Sequence, residues 1–535
     1  MANTDPDHWF LPAAVMDPFR KPAFTTGNIA CALVDGEEYM DHLEARLAAT
    51  VSGDFYHFTG WRFTPKVKLK PDECGATTFL QILTAMDSRS VTIRCLAWIQ
   101  STMPGFNRDE NVAFVTAVDA LPNATAVLDA RLEEPTLGSH HQKTSIVRSG
   151  GQDWAYVGGI DLALDRWDRS AHDSPKMNPP CPQDPARQKE HFEGWHDVHC
   201  VLQGDAVAQV WQNFKDRWND TTEPHHEDDL PGGAVPLQIA DPVPPALPMP
   251  ALPPVAGTDN VQVLRTLACK DTFSFLPGGE QTVRLAYEKA IDTAEHYVYI
   301  EDQYAWPNSL GPKLNQAAKR GVKIIFVLAH EYDSRPLRIV HNDMRHDDFL
   351  DTVRDGASQN VFVYHLQQTG GGADIYVHAK TMIVDDRYAA IGSTNINRRS
   401  HTTDSELQVA VVGGDVDPAI IDGVSRPIRC FARDLRLRLW KEHLGLAAAS
   451  TAVDDPIAGL TAWPSAGTPQ IHHAVLHETP SFLYRSPLIA GAVAGAAVGG
   501  LLSWGESSKA AVGGVVGAVA AYFLANAIMN RETDC

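Results

Sequence analysis

The sequence predicts an α/β protein of two similar lobes with an apolar helical hairpin at its C-terminal end. Three observations predict it. Short apolar runs alternate with helix-period segments through two long stretches, the pattern of strands and helices sharing a sheet domain. Both stretches repeat one order of elements, and each carries a His-x-Lys segment that leads into an apolar run and then a glycine turn. A proline-rich connector separates them. With 535 residues, the chain is roughly three and a half times a typical domain, so more than one core is expected.

Residues 1–27 form an N-terminal extension, MANTDPDHWFLPAAVMDPFRKPAF and onward, without the basic and apolar blocks of a secretory signal. The first lobe covers 28–220. In it DGEEYMDHLEARLAAT reads as a helix and DFYHFTGWRF as the strand that follows. Residues 221–258 make the proline-rich linker. The second lobe covers 259–446 and repeats the pattern: GGEQTVRLAYEKAIDTA as helix, HYVYIEDQYAW as strand, then PKLNQAAKRG and VKIIFVLA. The tail spans 447–535. Within it, at about 487–529, two apolar runs of roughly 17 and 20 residues flank GESSK, near the length that crosses a bilayer core. Gly491, Gly495 and Gly499, then Gly513 and Gly517, recur every fourth residue and place small residues on one helical face. The hairpin is therefore expected to hold the protein at a membrane.

Composition narrows the function. Hydrophobic residues at 44% and charged residues at 21% exclude wholesale disorder. A net charge of −21 argues against a nucleic-acid partner. Eight cysteines without a CxxC pair make structural zinc and a disulfide framework poor readings.

The chemistry-bearing segments are GSHHQKTSIV, with His141 and Lys143, and IYVHAKTMIVD, with His378 and Lys380. In a strand, residues i and i+2 share a face, so each segment presents an imidazole beside an ammonium. One such pair means little, since about two His-x-basic pairs arise by chance in this composition. Two copies in matching context, each followed by a glycine turn (YVGGID and AAIGSTNINR), carry the signal.

These residues resemble the phospholipase D superfamily, whose signature is HxKxxxxD followed by GSxNxxxR. The second copy fits in full through His378, Lys380, Asp385, Gly392, Ser393, Asn395 and Arg399. YVGGIDLALDRWD, GWHDVHCVLQGDAVAQVWQNFKDRWN and YIEDQYAW resemble the accessory blocks of the phospholipases proper, so the resemblance covers about residues 28–446. It implies the duplicated phospholipase D fold with a pseudo-twofold. It further implies a phosphohistidine mechanism with the nucleophile on His141, the general acid on His378, and phosphoryl oxygens held by Lys143, Lys380 and Asn395; the residues themselves leave the reverse assignment of the two histidines open. Asp385 is expected to orient or stabilise a histidine. Asp161, at the place matching Asn395, and Ser393, Arg399, His196 and Asp197 complete the expected support. No metal or other cofactor is called for, because the lysines supply the positive charge. The first copy departs from the signature: its Asp position is Arg148, leaving Asp153 or Asp161 as substitutes.

The resemblance implies hydrolysis of the distal phosphodiester of glycerophospholipids to phosphatidic acid and the head-group alcohol. A phosphatidyl transferase of the cardiolipin synthase kind is the nearest alternative. A nuclease follows, and then a non-catalytic membrane protein in which Arg148 marks a decayed site. The missing signal peptide and the glycine-rich tail also resemble the phospholipase D class of bacterial type VI secretion lipase effectors. That likeness implies synthesis in the cytoplasm, export by a dedicated secretion system, and secretion-system or immunity-protein partners.

Overall fold

The computed structural model describes residues 4–19, 22–72, 75–99, 108–132, 138–172, 194–220, 257–269, 273–306, 308–330, 349–369, 373–465 and 474–476. The first lobe contributes β1 (Thr25–Val34), β2 (Phe55–Gly60), β3 (Thr92–Trp98), β4 (Ala124–Asp129), β5 (Thr144–Ser149), β6 (Gln152–Gly158), β7 (Trp195–His196) and β8 (Val198–Gln203). The second contributes β9 (Asp259–Leu267), β10 (Glu280–Gln281), β11 (Tyr297–Asp302), β12 (Lys323–Leu328), β13 (Val361–Gln367), β14 (Asp374–Val377), β15 (Lys380–Val384), β16 (Tyr388–Gly392) and β17 (Glu406–Val412).

The duplication read from the sequence is a duplication of topology. In the first sheet the order is β4–β3–β2–β5–β6–β8–β1, with β2, β3 and β4 parallel and the remaining pairs antiparallel. In the second it is β13–β12–β11–β15–β16–β17–β9, with β11, β12 and β13 parallel and the rest antiparallel. Strand by strand the two orders correspond. The parallel strands are covered on both faces, which is why Lys323–Leu328 reads KIIFVL with no polar alternation. The edge strands β1 and β9 pair antiparallel, and β7 pairs parallel with β14, so backbone hydrogen bonds tie the halves together.

Helices pack both faces of each sheet. The helix Asp35–Ala48 buries Tyr39, Leu43 and Leu47, a stripe spaced four residues apart. Its counterpart Thr282–Thr293 buries Val283, Ala286, Tyr287, Ala290 and Ile291. Between the sheets lie the helices that close each lobe, Asp205–Trp218 and Cys430–His443. Their Trp211, Phe214, Leu439 and Trp440 join Ile146, Val157, Ile383 and Val409 in one central core. This shared core makes the lobes one packing unit.

The N-terminal extension is not loose. Trp9, Phe10, Leu11 and Met16 are buried in the outer core of the second lobe, and Gln262 bonds both backbone groups of Leu11. The start of the tail also packs inward, with Trp463 against Tyr364 and Trp440. Most of the proline-rich linker and the whole hairpin at 487–529 lie outside the described residues; among the described residues no helix is long and apolar enough to cross a membrane. Against the sequence expectation, Cys269 is disulfide-bonded, while Cys31, Cys95, Cys200 and Cys430 are free.

Candidate active site

The His-x-Lys segments are lead-ins to strands rather than strand interiors. His141 and Lys143 precede β5, and His378 precedes β15, which begins at Lys380. The reason lies in the backbone pairing. The His141 N–H donates to the Ser405 carbonyl (2.9 Å), and the His378 N–H donates to the His196 carbonyl (2.8 Å). Each histidine is thus stitched to the opposite half of the molecule, one residue before a carboxylate.

Those carboxylates are Glu406 and Asp197. His141 Nδ1 lies 3.0 Å from Glu406 Oε1, 3.1 Å from Oε2 and 3.0 Å from the Ser393 carbonyl. A carbonyl only accepts, so Nδ1 carries the proton and Nε2 keeps its lone pair. His378 Nδ1 lies 2.7 Å from Asp197 Oδ2, while Asp197 Oδ1 accepts from the Val198 N–H (2.8 Å). The first-lobe histidine is oriented from the second lobe and the second-lobe histidine from the first. Gly159 permits this: a Cβ there would stand 2.1 Å from Asp197 Oδ1. At the matching turn a Cβ on Gly392 would stand 2.3 Å from Gln408 Oε1.

Lys143 donates to the His141 carbonyl (2.8 Å) and sits 3.4 Å from Asp161. Lys380 donates to the His378 carbonyl and to Gln303 Oε1 at 3.5 Å. Both imidazoles are held well below the ordinary histidine range, first by burial and then by the lysine charges; Arg166 adds to the effect on His378. Burial lowers Lys143, and lowers Lys380 to about 8. It pushes Asp197 up to about 7, and Glu406, with Asp404 nearby, up to about 8. The site therefore holds neutral imidazoles in a positive field, an arrangement that binds an anion and leaves nitrogen lone pairs free to react.

The remaining expected residues divide. Ser393 belongs to the site: its Oγ donates to Glu406 (2.5 Å) and its carbonyl fixes His141. Asn395 is buried on the same turn. Asp161 accepts from the Trp61 and Arg62 N–H groups (2.8 and 3.1 Å) and faces Lys143. Arg399 acts at a distance, bonding Asp404, which in turn holds the Ser139 N–H.

Asp385 does not orient a histidine. Its carboxylate accepts the backbone N–H groups of Glu295, His296 and Tyr297 (2.7, 2.9 and 2.8 Å), and so fixes the entry to β11 at the far end of β15. Arg148, at the corresponding place, pairs with Asp153 through two bonds (2.7 and 2.6 Å) across the β5–β6 hairpin. Neither Asp153 nor Asp161 replaces an orienting carboxylate, because none is missing. His196 points away from the reacting histidines, between Asp35 and Glu301 (3.0 Å each).

Sequence reasoning missed Glu406, the Arg166 guanidinium 3.8 Å above the Trp195 ring, and Trp61 beside Lys143 and His141. Arg166 lies within YVGGIDLALDRWD and Trp61 within DFYHFTGWRF, both already marked by their local pattern. Nothing local marks Glu406.

The comparisons with known proteins agree with this architecture. The family model "Phospholipase D" matches residues 51–321, half of the chain, and "Cardiolipin synthase, PLD-like domain" matches 287–420. Phospholipase D A of Dictyostelium discoideum is 29% identical over 58% of the chain, and phospholipase D alpha 1 of Cynara cardunculus is 25% identical over 73% of it. The matches span 27% and 62% of those proteins' own lengths. Among solved structures, phosphatidylserine synthase of Haemophilus influenzae superposes with a TM-score of 0.51 at 12% identity, over 73% of this chain and 84% of that one, a likeness of fold. Two copies of one strand order, meeting at a pair of crossed histidine–carboxylate contacts, are thus accompanied by a family match over half the sequence: the chain belongs to the phospholipase D superfamily.

Proposed function

We propose that the protein is a phospholipase D that hydrolyses the distal phosphodiester of glycerophospholipids through a phosphohistidine. The crossed clamp on the two imidazoles is the observation that supports this most directly. His141 Nε2 attacks phosphorus while Lys143 and Lys380 hold the non-bridging oxygens. The P–O bond to the head group breaks as His378 gives its Nε2 proton to the departing alkoxide. His378, now neutral, takes a proton from water; the resulting hydroxide attacks phosphorus, the P–N bond breaks, and phosphatidic acid leaves. The phosphodiester's negative charge offsets the lysine field that otherwise disfavours a protonated His378. The related phospholipases D support the lipid substrate, and the apolar runs at 487–529 are expected to supply the membrane contact.

The match of the second lobe to a cardiolipin synthase domain favours one second reading, a phosphatidyl transferase in which an alcohol replaces water. Mass spectrometry of products from mixed liposomes, with and without ethanol, separates the two. Phosphatidic acid is the expected product, and phosphatidylethanol alone would assign the transferase. Rapid quench and peptide mapping are expected to find the phosphoryl group on His141. Finding it on His378 reverses the roles, and its absence from both refutes the covalent mechanism.

A further inference from the structure

Next to the reacting centre, but facing away from it, lies a largely buried cluster that the mechanism does not use. It gathers Asp35 at the start of its helix, His172, His196 of β7, Glu301 of β11, and Glu442 with His443 at the end of the helix Cys430–His443. Asp35, His172 and His196 come from the first lobe, and Glu442 from the second. One ligand atom from each of these four lies within 4.8 Å of all the others.

The geometry has the form of a metal site. Asp35 Oδ1 is 3.0 Å from His196 Nδ1, which is 3.3 Å from Glu442 Oε1, which is 3.5 Å from His172 Nε2. Donors about 2.0–2.1 Å from a tetrahedral zinc stand roughly 3.3 Å from one another, so three of the six separations lie near the expected edge and the other three fall within 4.8 Å. Each imidazole also has its other nitrogen on an outer carboxylate. His172 Nδ1 is 3.0 Å from Asp168, and His196 Nε2 is 3.0 Å from Glu301. His443 Nε2 is 2.8 Å from the same Glu301. Carboxylate behind imidazole is the arrangement that fixes the tautomer and aims the free nitrogen at a cation. Two acids meet at the centre, and one oxygen is left over: among the described residues Asp35 Oδ2 has no hydrogen-bond partner, and Asp35 is 1% exposed.

We propose that Asp35, His172, His196 and Glu442 bind a divalent cation of the zinc class, buried where the two lobes meet, as a structural ion outside the reacting centre. It neutralises the converging carboxylates and fixes β7, whose next residue, Asp197, orients His378. The site uses no cysteine, which is why counting cysteines argued against zinc. The proposal is independent of the substrate assigned above.

The test is metal analysis of the full chain, purified without a metal-affinity step from zinc-supplemented medium. About one zinc per chain is expected, with a melting temperature several degrees lower after exhaustive chelation and restored by zinc. Asp168→Asn retains all four donors and is expected to weaken zinc affinity by about 10- to 100-fold. Glu442→Gln is expected to abolish stoichiometric binding. Should that variant fail to fold, cobalt reconstitution of the chelated wild-type chain decides, through the visible absorption of a four-coordinate nitrogen–oxygen site. Less than about a tenth of an equivalent of metal, with no response of the melting temperature to zinc, overturns the proposal and makes the cluster an ion-pair network of protonated histidines.

Discussion

The two carboxylates behind the histidines look equivalent, but the structure predicts unequal consequences when each is replaced by its amide. In Asp197→Asn the Val198 N–H, 2.8 Å from Oδ1, retains an oxygen, which turns the new NH2 toward His378 Nδ1. A donor there forces the ring proton onto Nε2, where it blocks the nitrogen that must accept a proton from water. The same tautomer error in a Ser-His-Asp triad costs ~10⁴ in kcat, or about 5.5 kcal/mol, and a loss of that order is expected here. In Glu406→Gln the Ser393 carbonyl still accepts from His141 Nδ1 at 3.0 Å, so the tautomer survives. What is lost is the difference between a charged and a neutral hydrogen bond, about 1–2 kcal/mol, or roughly 5- to 30-fold. Because Glu406 is pushed up to about 8, its neutral form is already populated near neutral pH, which keeps the loss at the low end. The assay is kcat/KM on a dissolved short-chain phosphatidylcholine, with thermal melts to show that both variants fold. If Glu406→Gln loses as much as Asp197→Asn, or if Asp197→Asn stays within about tenfold of wild type, the tautomer argument is wrong.

With Lys380 lowered to about 8 by burial, kcat/KM is expected to fall about tenfold per pH unit above that value as the ammonium is lost. Lys380→Arg should abolish this alkaline limb at a lower overall rate, and an unchanged limb would assign the titration elsewhere. Asp385→Asn is expected to cost about 2–3 kcal/mol of stability in a denaturant melt, because three backbone N–H groups lose a charged acceptor. The folded variant should keep kcat within about threefold, and a collapse of kcat at full stability would restore Asp385 to the reacting centre. Deleting residues 487–529 should cut hydrolysis of vesicles strongly while sparing dissolved substrate; equal loss on both would make the hairpin part of the folded core.

The lobes were legible because apolar runs and helical stripes are local patterns. DGEEYMDHLEARLAAT and VKIIFVLA folded as the helix and strand they spelled. His141, Lys143, His378 and Lys380 were legible because their spacing is short and occurs twice. Their orienting contacts were not: Asp197, expected only as support, lies 181 residues from His378, and Glu406, which was not expected, lies 265 residues from His141. The sequence reading sought the missing acid at Arg148, within the same half, whereas the fold draws it from the other. Asp385 misled for the same reason: its spacing from His378 is real, but five residues of extended strand carry it to the opposite end of β15. The cluster around His196 stayed hidden because Asp35, His172, Glu301 and Glu442 share no spacing at all.

The crossing of the clamps makes catalytic competence a property of the finished chain. The first lobe is synthesised first, complete with His141 and Lys143, yet its histidine has nothing behind it until β17 brings Glu406 into place. Asp197 likewise waits in the first lobe for a histidine synthesised later. Neither half by itself holds a histidine with its orienting carboxylate, so under the proposed function a nascent fragment, or a chain with one half folded, is expected to be silent.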